Sequence, residues 1–204
     1  MAAIEVKKVS FTYPNAKHPA IHDVSFCVES GAFVLLCGKT GCGKTTLLRN
    51  LKKEIAPHGD LRGEIRFGKN GTEPEAADIG YVMQNPENQI VTDTVWHELA
   101  FGLENMGLPS DVIRRRVGET ALFFGIESWF EKSVYTLSGG QKQMLNLAAV
   151  TAMQPDVILL DEPTAQLDPI ASKNFLQMLY RVNSELGKTV IVSEHKLEEV
   201  MPLC

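Results

Sequence analysis

The segment Gly38-Lys39-Thr40-Gly41-Cys42-Gly43-Lys44-Thr45 constrains this 204-residue chain more than any other, because it fits the spacing G-x-x-x-x-G-K-[ST] in a matching local setting. The apolar run Phe33-Val34-Leu35-Leu36-Cys37 leads into it, and the helical pattern Thr46-Leu47-Leu48-Arg49-Asn50-Leu51 follows. Glycines let successive backbone N–H groups turn inward around a phosphate. The start of the following helix adds unpaired amides and the positive end of its dipole. Lys44 then supplies a point charge for the outer phosphates, and the Thr45 hydroxyl supplies one oxygen ligand for Mg2+. Cys42 reads either as a small residue tolerated in the loop or as a redox-sensitive thiol beside a helix start.

Two further apolar runs, Val157-Ile158-Leu159-Leu160 and Val190-Ile191-Val192, resemble the one before the loop. All three are expected as central strands of a parallel sheet covered on both faces. Residues 4–30 alternate apolar and polar in strand fashion, and 63–67 add a further strand, which predicts an antiparallel β patch. Helical patterns over 94–106, 110–124 and 139–153 predict a separate helical lobe. Asp168-Pro169 opens one more helix, since Asp is a good N-cap and proline suits a first position whose amide is unpaired anyway.

The expected fold class is therefore α/β, with one domain over 1–204. It combines an antiparallel β subdomain (about 1–32 and 60–70), a phosphate-loop core with a mostly parallel sheet (33–60, 75–90 and 155–204) and a helical lobe (91–153). A last helical pattern begins at 196 and the chain stops at Cys204 without a closing element, so the sequence reads as cut short.

A net charge of −5 and an ordinary 44% apolar content argue against a disordered tail or a general nucleic-acid coat. The longest apolar stretch, 32–37, falls far below the roughly 20 residues of a spanning helix, and the N-terminus lacks a signal peptide's apolar region. Neither membrane crossing nor export is expected. Cysteines at 27, 37, 42 and 204 form no C-x-x-C pair, which points to a reducing cytosol rather than to zinc or a disulfide framework.

The run ending in Leu160 continues as Asp161-Glu162-Pro163, placing two carboxylates where a buried strand ends and where open parallel sheets bind ligands. Asp161 can hold a metal's water shell while Glu162 polarises an attacking water. Leu137-Ser138-Gly139-Gly140-Gln141 starts another helix with an S-x-x-Q capping box. Two consecutive glycines cost helix stability unless something must approach the backbone closely, and a phosphate at the helix start would do so.

The phosphate loop, Leu137 to Gln141, and the strand ending in Asp161-Glu162 together resemble the ATP-binding cassette ATPases, whose diagnostic signature is L-S-G-G-Q. That resemblance implies ATP and Mg2+ as cofactors. It implies Tyr13 stacking on adenine, and Gly38, Lys39, Thr40, Gly41, Cys42, Gly43, Lys44, Thr45 and Thr46 around the phosphates. Thr45, Gln84 and Asp161 would serve the metal, and Glu162, Gln84 and the switch residue His195 would serve catalysis. Ala165-Gln166-Leu167-Asp168 resembles the loop that crosses the dimer interface. Two cassettes would face each other head to tail, each ATP lying between one phosphate loop and the other subunit's Ser138, Gly139, Gly140 and Gln141. Tyr13 as a strand filler, Gln84 as a turn cap and His195 as a packed histidine are the plainer readings. His18, His22, His58 and His97 match no motif position.

The stretch from Asn85 to Asn105 and the ending Ser193-Glu194-His195-Lys196-Leu197-Glu198-Glu199-Val200 are similar to the energy-coupling factor transporters, importers of vitamins and transition-metal ions, in their tandem form. This implies a second cassette, an integral membrane coupling subunit, a substrate-binding membrane subunit, and a peripheral place on the cytoplasmic face of the membrane. The coupling subunit would dock near Gln84, where Glu87, Asp93, Glu98 and Glu104 supply negative charge; a solvated acidic face is the alternative. No direct nucleic-acid contact is expected. The alternatives are the ATPase of another ABC importer and a soluble cassette ATPase acting on DNA or ribosomes; against the latter stand the absence of sustained heptads between loop and signature and of zinc-binding cysteine pairs. A phosphate-loop kinase is disfavoured by the signature and by Glu162 beside the metal-site acid.

Overall fold

A computed structural model describes residues 2–68 and 78–195. The helical pattern beginning at 196, Cys204, and the parts of the expected β subdomain and core that fall on 69–77 lie outside the described residues. Two sheets organise the chain. Strands β1 (Ala2–Thr12), β2 (Ile21–Glu29) and β4 (Asp60–Phe67) form an antiparallel sheet in the order β2-β1-β4. Strands β3 (Phe33–Leu36), β5 (Ile79–Val82), β6 (Val157–Asp161) and β7 (Thr189–Ser193) form a parallel sheet in the order β3-β7-β6-β5.

The apolar runs hide a period of two. Ile79, Tyr81, Val157, Leu159 and Ile191 point to one side, where Leu48 and Leu51 and the antiparallel sheet's Ile4, Val6, Val9 and Val28 close over them. Val82, Ile158, Leu160, Val190 and Val192 point to the other, against the helical side of the molecule. Both faces of β5, β6 and β7 are thus dry, as continuous apolar strands require. The run 33–37 differs from its expectation as a central strand: among the described residues β3 has a strand neighbour on one side alone, and all four of its residues are only half-buried. An apolar run reports that both faces are covered to some degree; it carries no record of how many neighbours share its backbone hydrogen bonds. Strand β5, for which no run was singled out, is fully buried although only four residues long.

In β1 the alternation breaks at Lys7-Lys8, where the register against both neighbours shifts and Lys8 takes φ +48°. The bulge turns Val6 and Val9, three residues apart, onto the same buried face. Opposite it, a side chain on Gly63 would come within 2.4 Å of the Lys8 carbonyl oxygen, so glycine is required there.

Helix α1 (Lys44–Asn50) follows the phosphate loop. Helices α2 (Val95–Asn105), α3 (Ser110–Phe124) and α4 (Gly139–Ala152) pack on one another and share one core with a face of the parallel sheet, and α5 (Pro169–Leu186) leads back to β7. Asp168 caps α5 by accepting hydrogen bonds from Ile170 N and Ala171 N, both at 2.9 Å, with Pro169 in the first turn.

Glu98, expected among the docking acids, is instead an interior group, 5% exposed. Its Oε2 accepts from Val91 N (3.1 Å), Thr92 N (2.9 Å) and Thr92 Oγ1 (2.9 Å), closing the turn that feeds α2. Position 98 lies one turn into the helix, so its carboxylate reaches back over the preceding loop, a relation that charge counting does not register. Removing it takes the acceptor from three part-buried donors, so Glu98→Ala is expected to lower unfolding stability by about 1–2 kcal/mol, measurable as a shift in denaturant midpoint at unchanged slope.

Candidate active site

The strand order determines what can meet. Because β7 lies between β3 and β6, the residues leaving β7 emerge between the phosphate loop and the acidic strand end. Asp161, the last residue of β6, is buried, and its Oδ1 accepts from Thr45 Oγ1 and from Ser193 Oγ, each at 3.0 Å. Its Oδ2 accepts from Tyr81 OH at 3.2 Å. Burial, and then the adjacent Asp161 charge, raise the Tyr81 hydroxyl above the ordinary phenol range, so it stays a donor. Tyr81 and Ser193 escaped the sequence reading. Their only signal was a polar group within or at the end of a short apolar strand.

Glu162 follows with φ +46°, an uncommon backbone state for a residue with a side chain. Its N–H is held by both Ser193 O and Ser193 Oγ at 3.0 Å. Its carboxylate gathers three of the expected residues: His195 Nε2 at 2.7 Å, Gln84 Nε2 at 3.3 Å and Lys44 Nζ at 3.6 Å. Lys44 is buried, donates to Gly38 O at 2.9 Å, and lies 3.3 Å from His195 Nε2. Residues far apart in the chain therefore converge at one end of the parallel sheet.

Tyr13 lies just past β1, half exposed, its ring edge-on to Phe11 and its hydroxyl 3.0 Å from Thr46 Oγ1. It is not a buried strand filler. Its hydrogen bond ties it to α1, within reach of the phosphate loop, of which Lys39, Thr40, Gly41 and Cys42 are exposed.

The signature segment stands apart from this cluster. Ser138 caps α4 with a complete capping box: Gln141 N donates to Ser138 Oγ at 3.3 Å and Ser138 N to Gln141 Oε1 at 2.9 Å. Ser138, Gly140 and Gln141 line a cleft of about 600 Å3 together with Trp129, Asp168 and Ile170, and no phosphate-loop residue borders it. The two glycines have different reasons. A side chain on Gly140 would meet Ala171 Cβ at 2.8 Å, so that glycine serves the contact between α4 and α5. Gly139 has open space around its missing side chain, so only it remains for the close approach of an outside group.

One face of α4 also holds the glutamine segment, which sequence reasoning missed. Gln143 Nε2 donates to Met83 O at 3.0 Å, Asn146 Nδ2 to Pro86 O at 3.2 Å, and Lys142 pairs with Glu87. Polar residues buried at i and i+3 on an otherwise apolar helix were the available sign.

No group of His, Cys, Asp and Glu residues suited to trap a metal by itself occurs among the described residues. The local donors Thr45 Oγ1, Gln84 and Asp161 are hard oxygens and fit Mg2+, which keeps most of its ligands as water and phosphate.

Residues 21–165 match the family model described as ABC transporter. Across its whole length the chain is 51% identical to a Bacillus anthracis protein with the provisional name ABC transporter ATP-binding protein, spanning 38% of that protein. A Streptomyces coelicolor protein of like provisional name is 43% identical over 97% of the chain and 36% of its own length. The chain thus covers little more than a third of these relatives. Among solved structures, cbiO1 from Clostridium perfringens, part of the ABC transporter complex cbiONQ, is similar at TM-score 0.88 and 31% identity, over 100% of this chain and 82% of that one. An ATP-binding cassette solved as a dimer in a post-hydrolysis state with ADP and Pi is similar at TM-score 0.79 and 27% identity, over 97% and 90% of the two chains. The chain belongs to the ABC transporter family.

The exposed thiol of Cys42 offers a direct probe of the loop. Peptide mapping after maleimide labelling is expected to show Cys42 shielded by MgATP while exposed Cys27 labels as before; equal labelling of Cys42 with and without nucleotide would place the phosphates elsewhere.

Proposed function

We propose that this chain binds and hydrolyses ATP as one cassette of a membrane transport complex, in a head-to-tail dimer with a second cassette. One observation carries the reading: the phosphate loop, Asp161, Glu162 and His195 form one half of a site, while the Ser138 helix start opens on a separate cleft. A helix start remote from its own phosphate loop is useful against a neighbour's nucleotide. On this reading Glu162 accepts a proton from the attacking water, and His195 orients Glu162 and faces the terminal phosphate. Lys44 exchanges its loop carbonyl for phosphate oxygens, and Tyr13 stacks on adenine. Mg2+, held by Thr45 and Gln84 with Asp161 behind its water shell, would supply charge neutralisation on the phosphates.

Among transport complexes we favour the energy-coupling factor type, an importer of vitamins or metal ions, with the membrane coupling subunit seated beside the glutamine segment. Likeness to cbiO1 and the 85–105 stretch support this. So does a cavity of about 430 Å3 whose lining includes Gln89, Val91, Phe101 and Met153, where Val91 and Phe101 are exposed apolar groups. Asp93 and Glu104 remain exposed, and Glu87 does so while paired with Lys142, so these three, without Glu98, are the acids left for a basic docking helix. No helix among the described residues is long and apolar enough to cross a membrane. That fits a peripheral cytoplasmic place beside the membrane subunits.

Glu162→Gln is expected to bind ATP with near-normal affinity and to hydrolyse it at least roughly a hundredfold more slowly in single-turnover assays; wild-type turnover would remove its role as base. Asp93→Lys combined with Glu104→Lys should reduce co-purification of the membrane subunit in mild detergent while ATP binding persists, and undiminished recovery would remove the docking site.

A further inference from the structure

Glu194, the residue before His195, is the most enclosed carboxylate near the site, 2% exposed. Its Oε1 accepts from Thr164 N at 3.0 Å and from Thr164 Oγ1 at 2.7 Å. Its Oε2 lies 3.3 Å from His195 N, and its own N–H points to Leu36 O at 3.4 Å, at the end of the strand that enters the phosphate loop. Among the described residues no cation pairs with it, so neutral donors satisfy this buried carboxylate. Such an arrangement persists only when those donors are held in place, because a buried carboxylate with a missing donor is costly.

The Thr164 side of this contact reaches further. Ala165 N donates to Glu162 O at 3.1 Å and Leu167 N to Thr164 O at 3.0 Å, so the loop after Glu162 is a compact pair of turns anchored at Thr164. That loop ends in Asp168, which caps α5 at Ala171, the residue packed against Gly140 of the signature helix. One side chain thus ties the backbone of His195 to the loop that begins at Glu162 and ends at the cleft beside Ser138.

We propose that Glu194 is a positioning residue for ATP hydrolysis: through Thr164 and His195 N it holds the Glu162 loop and the His195 backbone in one fixed relation. It touches neither the phosphates nor the attacking water. This rests on the ATPase reading above. A residue that only stabilises the fold alters the melting temperature and leaves kcat and KM of the folded protein alone; a positioning residue lowers kcat while nucleotide affinity stays.

The test uses the full-length protein that carries this chain, with ATP affinity read by titration calorimetry and kcat by phosphate release at saturating MgATP. Glu194→Gln keeps an acceptor oxygen for Thr164 but presents an amide to His195 N. Thr164→Val removes only the hydroxyl donor, and Thr164→Ser restores it. Expected are a tenfold or greater fall in kcat for Glu194→Gln and for Thr164→Val, ATP affinity within twofold of wild type, and kcat within twofold of wild type for Thr164→Ser. If Glu194→Gln does not fold, the threonine pair decides by the same criterion. Unchanged kcat in Thr164→Val, or a loss of affinity matching the loss of rate, overturns the inference while leaving the ATPase reading intact. A wild-type protein that neither binds nor hydrolyses ATP overturns that reading and the inference together.

Discussion

Everything at the candidate site depends on Asp161 being held in one orientation at the end of a dry strand. A carboxylate in that position has lost most of its hydration, and Thr45, Ser193 and Tyr81 replace it with directed hydrogen bonds from three different strands or helices. Thr45 and Ser193 can meet there because β7 runs between β3 and β6, while Tyr81 comes from β5 on the other side of β6. The same order sends Glu194 and His195 out between the phosphate loop and Glu162. Sheet topology and site chemistry are in this sense a single constraint.

Polar groups in this fold are divided between structural and functional duties in a way that composition conceals. Glu98 and Glu162 are both acids near the glutamine segment, yet the first closes a turn through side-chain hydrogen bonds with residues 91 and 92. The second gathers a lysine, a histidine and a glutamine that have no structural need of it. Gly139 and Gly140 divide likewise. One is consumed by the packing of α4 on α5, and the other is left open to an outside group. The α4 face carrying Lys142, Gln143 and Asn146 makes the glutamine segment and the signature helix a single mechanical unit. Displacement of either element then displaces both, which suits a domain proposed to pass force between nucleotide and membrane subunit.

The strength of local signals explains what was legible in advance. The phosphate loop, the Ser138 capping box and the Asp168-Pro169 helix start are contiguous motifs whose physics acts within a few residues, and the helices at 110–124 and 139–152 fall within a residue of their expected bounds. The half-burial of β3, the burial of Glu98, and the parts of Tyr81, Ser193, Gln143 and Asn146 were not legible, because each depends on which distant element lies alongside.

By itself the sequence determined the residue types able to hold a triphosphate, the alternation of elements and the family, since these reside in short-range order and spacing. The tertiary structure alone decided which polar groups lose their water and to whom they then turn. Burial is a property of the assembled sheet and helices, and a hydrogen bond between residues 45 and 161 or 164 and 194 has no existence until strand order brings them together.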